Sequence, residues 1–238
     1  MRNFHEPRRS PVYAMGGMAA TSHPLASEAA LSILKQGGNA VDAAVTAALV
    51  LCVVEPQMVG IGGDCFALVS DPDGRIHGLN SSGRAPAAAD AEALRAAGLA
   101  EISSRSVHSV TVPGAVRGFE ALVDRFGRYG LDAALVRAIG LASGGFPVSP
   151  RVAWDWARSD GLGDHPGAVR HLLIDGKPPV SGQIVTFPRL AESLQAIAEG
   201  GSARFYEGEI AEDIVATVVG GGGVMTLDDM AAAKADWV

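Results

Sequence analysis

A chain of 238 residues with 48% hydrophobic and 19% charged side chains has ample material for a core, which excludes global disorder. Its net charge of −7 argues against a nucleic-acid partner, and the cluster Arg2, Arg8, Arg9 is too small to change that. Two cysteines, Cys52 and Cys65, make neither a disulfide framework nor a zinc site.

Residues 1–16 read as an extended arm, since Pro7 and Pro11 block helix. This end has charges but no apolar stretch of the kind a secretion signal needs, so the expected location is the cytoplasm. Residues 17–21 (GMAAT) are expected to form a short buried strand. Thr21 or Ser22 can then cap a helix over 25–36, with Pro24 in its first turn and Gly37-Gly38 as its stop. Asn39 is placed to cap a second helix over 40–54, apolar nearly all round and therefore buried on most sides. That run is too short to span a bilayer and carries Asp42, so no membrane partner is expected.

At Glu55-Pro56 the helix runs out into a glycine turn, Gly60-Ile61-Gly62-Gly63. Two apolar runs, 64–69 and 75–79, flank Asp71-Pro72-Asp73-Gly74 and read as a β-hairpin. The second ends at NSSGRAP, residues 80–86: small polar residues and one cation at a strand end. Helices are expected over 87–100, 115–126, 131–143, 148–158, 187–199, 208–219 and 227–235, and a strand over 107–112. Residues 161–179 are the loosest, rich in glycine and proline. The result is a single domain over 1–238 of class α+β, mostly helical, with roughly four strands concentrated before residue 115.

Gly60, Gly62 and Gly63 do not make a phosphate loop: no Lys-Ser/Thr follows, and a helix precedes where a strand should. His5, His23, His77, His108, His165 and His171 are scattered with no i, i+4 pair, so no metal site is expected. Asp64 reads as a backbone acceptor in the turn and Cys65 as a packed thiol rather than a nucleophile. Arg84 either grips a carboxylate with two parallel hydrogen bonds or pairs structurally with Asp64 or Asp90. Ser81 and Ser82 have no visible histidine–acid partnership, so a serine triad is not supported.

Several blocks, in order, resemble the γ-glutamyltranspeptidase family at the start of its large subunit. They are AATSHPLA (19–26), GGNAVDAAV (37–45), VVEPQMVGIGGDCF (53–66), GRAP (83–86), VTVPGAVRGFEAL (110–122), GFPVS (145–149), FYEGEIAEDI (205–214) and GGGVMTLDDMAA (221–232). The resemblance implies an N-terminal-nucleophile hydrolase, an αββα sandwich of which this chain is an incomplete, helix-rich part. It implies a precursor that cuts itself, and a partner small subunit whose N-terminal Thr attacks a γ-glutamyl amide such as glutathione, without cofactor. The acyl group then passes to water or to an amino acid or peptide. No catalytic residue is expected within these 238 residues, and the chain alone is expected to be inactive. The family's substrate arginine falls, on alignment at Ala-Pro, on Ser82; the arginine here is Arg84, two residues on and on the same face of a strand. Arg84 and Ser82 are the candidate substrate-binding residues, with Gly62, Gly63 and Asp64 as a structural turn near the site. That displacement leaves room for a cephalosporin-acylase-like amidase, and a non-catalytic partner-binding chain is the alternative from another class.

Overall fold

The computed structural model describes residues 11–159 and 161–238; the basic cluster and most of the expected arm lie outside them. Residues 17–21 form no strand. Instead Thr21 Oγ1 donates to His23 O at 2.7 Å and contacts Ser27 Oγ at 2.8 Å, folding the segment over the first helix.

That helix, α1 (Pro24–Lys35), is capped by neither Thr21 nor Ser22. His23 is the cap, its Nδ1 accepting from Leu25 N at 3.2 Å. The ring is buried, and burial pushes its pKa below the ordinary 6.5, partly opposed by Glu55. A lowered folded pKa means that the neutral ring is favoured, so this contribution to stability is present above pH 6.5 and lost as pH falls through the folded value. Protonating Nδ1 would also remove the cap. The melting temperature should therefore fall as pH drops below 6.5, and His23→Asn, which caps without titrating, should flatten that fall. A pH–melting curve identical in the variant would dissociate the acid sensitivity from His23.

Helix α2 (Ala40–Val54) is the central element, buried on nearly every side as its composition demands. Asn39 and Asp42 form a reciprocal capping box at its start. Asp42 does more than cap: its buried carboxylate accepts from Asn39 N (2.8 Å), Arg128 N (3.0 Å) and Tyr129 N (3.1 Å). Asn39 Nδ2 donates to Phe126 O at 2.6 Å. The GGNAVD block is thus a clamp that ties the start of α2 to the loop after a distant helix.

The hairpin is as expected: β1 (Cys65–Ser70) pairs antiparallel with β2 (Ile76–Ser81), Cys65 opposite Ser81. Asp71 Oδ1 holds the turn by accepting from Asp73 N and Arg75 N. The helix expected over 87–100 shrinks to α3 (Ala91–Ala96), capped by Asp90. No strand forms over 107–112. Ser106 caps a short 3-10 turn, Val107–Ser109, and the segment then passes the end of β2 with Val112 N donating to Arg84 O at 2.9 Å.

Helix α4 (Ala115–Phe126) matches its expected span, with Val116, Phe119, Leu122 and Val123 buried; each such side chain contributes about 2 kcal/mol of hydrophobic stabilisation. Next come α5 (Leu131–Gly144), β3 (Phe146–Pro147) and α6 (Pro150–Trp156). The region expected to be loosest contains α7 (Pro166–Leu172), capped by His165 Nδ1. After β4 (Ile184–Val185) follow α8 (Pro188–Gly200), α9 (Ala203–Tyr206), α10 (Glu209–Gly220), α11 (Leu227–Ala231) and β5 (Asp236–Trp237).

Two strands rather than four therefore precede residue 115 among the described residues, and three short ones follow it. The sheets are β1-β2-β5 and β3-β4. Helices α1, α2, α5 and α8 pack in succession, and α4 fits between α2 and the hairpin. No helix among the described residues is long and apolar enough to cross a membrane.

Candidate functional site

The two candidate substrate-binding residues, Ser82 and Arg84, lie where β2 ends, and what fixes that end is the start of α4. Helix α4 has no side-chain cap. Its orphan amides are met from outside the helix: Gly63 O accepts from Gly114 N (3.0 Å) and Ala115 N (2.8 Å), and Tyr206 Oη accepts from Arg117 N (3.1 Å). Tyr206 Oη in turn donates to Pro113 O at 2.9 Å. The glycine turn is thus wired to α4 by its own carbonyl.

At the same corner two backbones pass each other closely, at glycines with no room for a side chain. A Cβ on Gly83 would stand 1.8 Å from Val112 O, and one on Gly114 would stand 2.0 Å from Ser81 O. Ser81 is buried with its Oγ donating to Gly114 O at 2.8 Å, so it is a structural tie and not a nucleophile. Beneath α4, Arg117 donates to Ala233 O at 3.2 Å, lies over the Tyr206 ring at 4.6 Å and contacts Ser202 Oγ. Glu120 accepts from Ser202 N at 2.7 Å and from Ser202 Oγ. This network brings α9 and the segment after α11 against the end of β2.

A cleft of about 550 Å³ opens there, lined by Asn80, Ser82, Gly83, Arg84, Lys234 and Asp236, with Val112, Gly114 and Asp229 among its walls. Arg84 pairs not with Asp64 or Asp90, the partners of the structural alternative, but with Asp236: Nη2 to Oδ2 is 2.9 Å. The reason is β5, whose Asp236 lies opposite Asn80 in the sheet. Asp90 is occupied in capping α3, and Asp64 lies on the other side of the hairpin. The Arg84 side chain remains 70% exposed despite this pairing. Ser82 is half-buried in the same cleft, its N–H donating to Asn80 Oδ1 at 3.1 Å.

Gly62, Gly63 and Asp64 do not line this cleft. They border a larger apolar cavity of about 810 Å³ between α2 and β1, walled by Val45, Leu51, Cys65, Phe66 and Phe119. Size alone would favour that cavity, but Asp64 is its one charged wall residue, and we place the candidate site where the cation is. Nor is Asp64 the turn acceptor that was expected. The turn closes by Gly63 N donating to Gly60 O at 3.0 Å, and no described residue hydrogen-bonds the Asp64 side chain.

Cys65 and Cys52 are both buried, and burial pushes their thiols up to about 11 and about 12. At pH 8 a thiol of pKa 11 is about one-thousandth thiolate, so Cys65 is a packed side chain and not a nucleophile. Iodoacetamide at pH 8 should leave both unmodified in the folded protein and label both in denaturant, as read by intact mass. Rapid labelling of Cys65 in the folded protein would restore it as a candidate nucleophile. Among the described residues no group of three His, Cys, Asp or Glu side chains could hold a metal ion.

Residues 26–238 match the gamma-glutamyltranspeptidase family. The chain belongs to that family. It is 36% identical over 92% of its length to the glutathione hydrolase-like YwrD proenzyme of Bacillus subtilis, covering 42% of that protein. It is 38% identical over 92% of its length to the oxamate amidohydrolase proenzyme of Klebsiella pneumoniae, again covering 42%. Among solved structures, cephalosporin acylase from Bacillus halodurans superposes with a TM-score of 0.92 and 40% identity, over 100% of this chain and 46% of that one. The chain thus spans about two fifths of the length of these curated relatives. Its helix-rich α+β architecture is that of the N-terminal part of the family's large subunit in the N-terminal-nucleophile hydrolase fold.

Lys234, Asp236 and Asp229 were not visible as cleft residues in the sequence. A two-residue strand leaves no periodic signal, and Asp236 lies 152 positions from Arg84 in the chain. Family membership, by contrast, was legible from the colinear blocks, four of which the structure places at the α2 clamp, the hairpin corner and the α4 start.

Proposed function

We propose that this chain is the large-subunit part of a self-processing amidase of the gamma-glutamyltranspeptidase family, and that Arg84 grips a carboxylate of the acyl group being transferred. The observation that carries this is an exposed arginine, held at the end of β2 by Asp236, facing a cleft about 550 Å³ in volume. A guanidinium bonded to one carboxylate along one edge keeps donors for a second. The attacking group comes from a partner small subunit, the hydroxyl of an N-terminal Thr activated by its own amine. Attack on the amide carbonyl expels the amine, and water or a second amine releases the acyl group. What this chain contributes is binding and orientation: the acyl end fixed in the cleft sets the distance to the scissile bond.

Between the two amide classes in view, glutathione-type γ-glutamyl donors and acylase-type donors, the position of the cation favours the second. Ser82 stands where the family's arginine is expected, and Arg84 reaches the cleft from two residues further on. The 40% identity to a cephalosporin acylase supports the same side.

N-terminal sequencing and intact mass of the purified full-length protein test the processing; a second chain led by Thr is expected. A sample without one would leave a non-catalytic, partner-binding chain. In the processed protein Arg84→Ala should raise KM about tenfold to a hundredfold, the worth of one charge-assisted hydrogen bond or more, with kcat changed far less and self-cleavage intact. Unchanged kinetics would remove Arg84 from substrate binding.

A further inference from the structure

Granted that the cleft binds substrate, as proposed above, its two walls must be held at a fixed separation, and the ties at its rim are poorly suited to that. Arg84–Asp236 is an exposed ion pair, and water screens such pairs until they contribute little. Lys234 lies 3.7 Å from the same acid and is exposed as well. Asp229 Oδ1 accepts from Ala87 N at 2.8 Å, but that bond holds the loop after Arg84 and not the wall formed by Val112, Pro113 and Gly114.

The tie beneath the cleft is of another kind. One wall is Val112, Pro113 and Gly114; the other includes Ala233, in the stretch between α11 and β5. Arg117 reaches both. Its N–H donates to Tyr206 Oη at 3.1 Å, and that hydroxyl donates to Pro113 O at 2.9 Å. Its Nε donates to Ala233 O at 3.2 Å. The guanidinium is itself held in place: it lies over the Tyr206 ring, and its Nη1 donates to Ser202 Oγ and, at 3.5 Å, to Glu120 Oε2. Ser202 and Tyr206 are buried and Arg117 is only 24% exposed, so little water competes for these bonds. One residue thus refers to both walls, to one through its backbone and to the other through its side chain.

We propose that Arg117 is a positioning residue that sets the width of the cleft. It acts on substrate through the wall that carries Lys234 and Asp236, without touching the substrate. The fork of the guanidinium is what the role requires: Nε serves Ala233 while Nη1 serves Ser202 and Glu120, and the single ammonium of a lysine cannot span both.

The test uses the full-length protein after self-cleavage. Hydrogen–deuterium exchange is read peptide by peptide, beside hydrolysis of γ-glutamyl-p-nitroanilide and glutaryl-p-nitroanilide. Arg117→Ala should raise exchange in residues 232–238 about tenfold or more and leave α5 and α8 as in the parent. KM for whichever anilide is turned over should rise about tenfold, with kcat within about threefold. Free guanidinium, filling the space left by the side chain, should reverse both changes and leave the parent unaffected. Arg117→Lys keeps the apolar stem, so it serves if the alanine variant does not fold, and it should show the same two changes. A local rise in exchange with KM unmoved overturns the positioning role and leaves the proposed amidase standing. Protection lost evenly along the chain, without rescue, does the same, since that is the result of a merely structural arginine. Turnover of neither anilide by the parent sinks the amidase reading; local, guanidinium-reversible exchange would then still support the brace, and its absence would overturn it.

Discussion

Gly83→Ala is expected to destabilise the protein by about 4 kcal/mol or more, at the rare end of single substitutions. At this position φ is +77°, a left-handed backbone that costs an L-residue about 1–2 kcal/mol by itself. The larger part comes from the neighbour. The new Cβ would stand 1.8 Å from Val112 O, and that carbonyl is not a side-chain tip that can swing away. Its own segment is held on both sides, by Val112 N donating to Arg84 O and by Gly114 N donating to Gly63 O. For a chain of this size the loss corresponds to a melting temperature lower by about 10 °C or more. Gly140→Ala is the matched control. It lies inside α5, and a Cβ there meets nothing within 4 Å, so alanine should be neutral or stabilise by up to about 1 kcal/mol. A Gly83→Ala protein that melts with its parent would mean that the two backbones at the cleft are not locked together.

Asp42→Ala should be nearly as damaging, by about 4 kcal/mol, although the residue does not line the cleft. Its carboxylate is 1% exposed and is the acceptor for three backbone N–H groups, two of them from the loop after α4. Removing it orphans Arg128 N and Tyr129 N, and each buried donor left without a partner costs about 1–3 kcal/mol. The α2 start loses its capping box as well, worth about 1 kcal/mol. Denaturant unfolding should report a lower midpoint with an unchanged slope, since the loss is of stability and not of compactness. A midpoint shift equivalent to less than about 1 kcal/mol would show that water or a loop shift replaces the carboxylate.

The two variants act on opposite ends of what could be read beforehand. Helices whose apolar residues recur at helical spacing were legible: α4 matched its span because Val116, Phe119, Leu122, Val123 and Phe126 share one face. Asn39 was legible as a cap. The role of Asp42 beyond the cap was not, because its partners lie 86 and 87 residues away. Residues 107–112 alternate as a strand should, yet the segment passes the end of β2, whose two edges are already taken by β1 and β5. They satisfy one backbone bond to Arg84 and bury Val112 instead. At the site, Arg84 was legible as an isolated cation at a strand end. Its partner was not, because the choice among Asp64, Asp90 and Asp236 is made by a sheet register that local pattern does not encode.

The pairing of Arg84 with Asp236 has a consequence for how the chain is made. The two residues are 152 apart, and at ordinary ribosomal speeds roughly ten seconds separate their synthesis. The contacts between α1 and α2 are local and can form soon after residue 54 emerges, whereas Arg84 has no carboxylate to settle on until the last residues of β5 are translated. Until then a nascent chain displays Arg84 without the acid that pairs with it. The order of events during biosynthesis is therefore scaffold first and cleft last, and a ribosome stalled between residues 126 and 227 would carry a folded helical pair with the cleft unfinished.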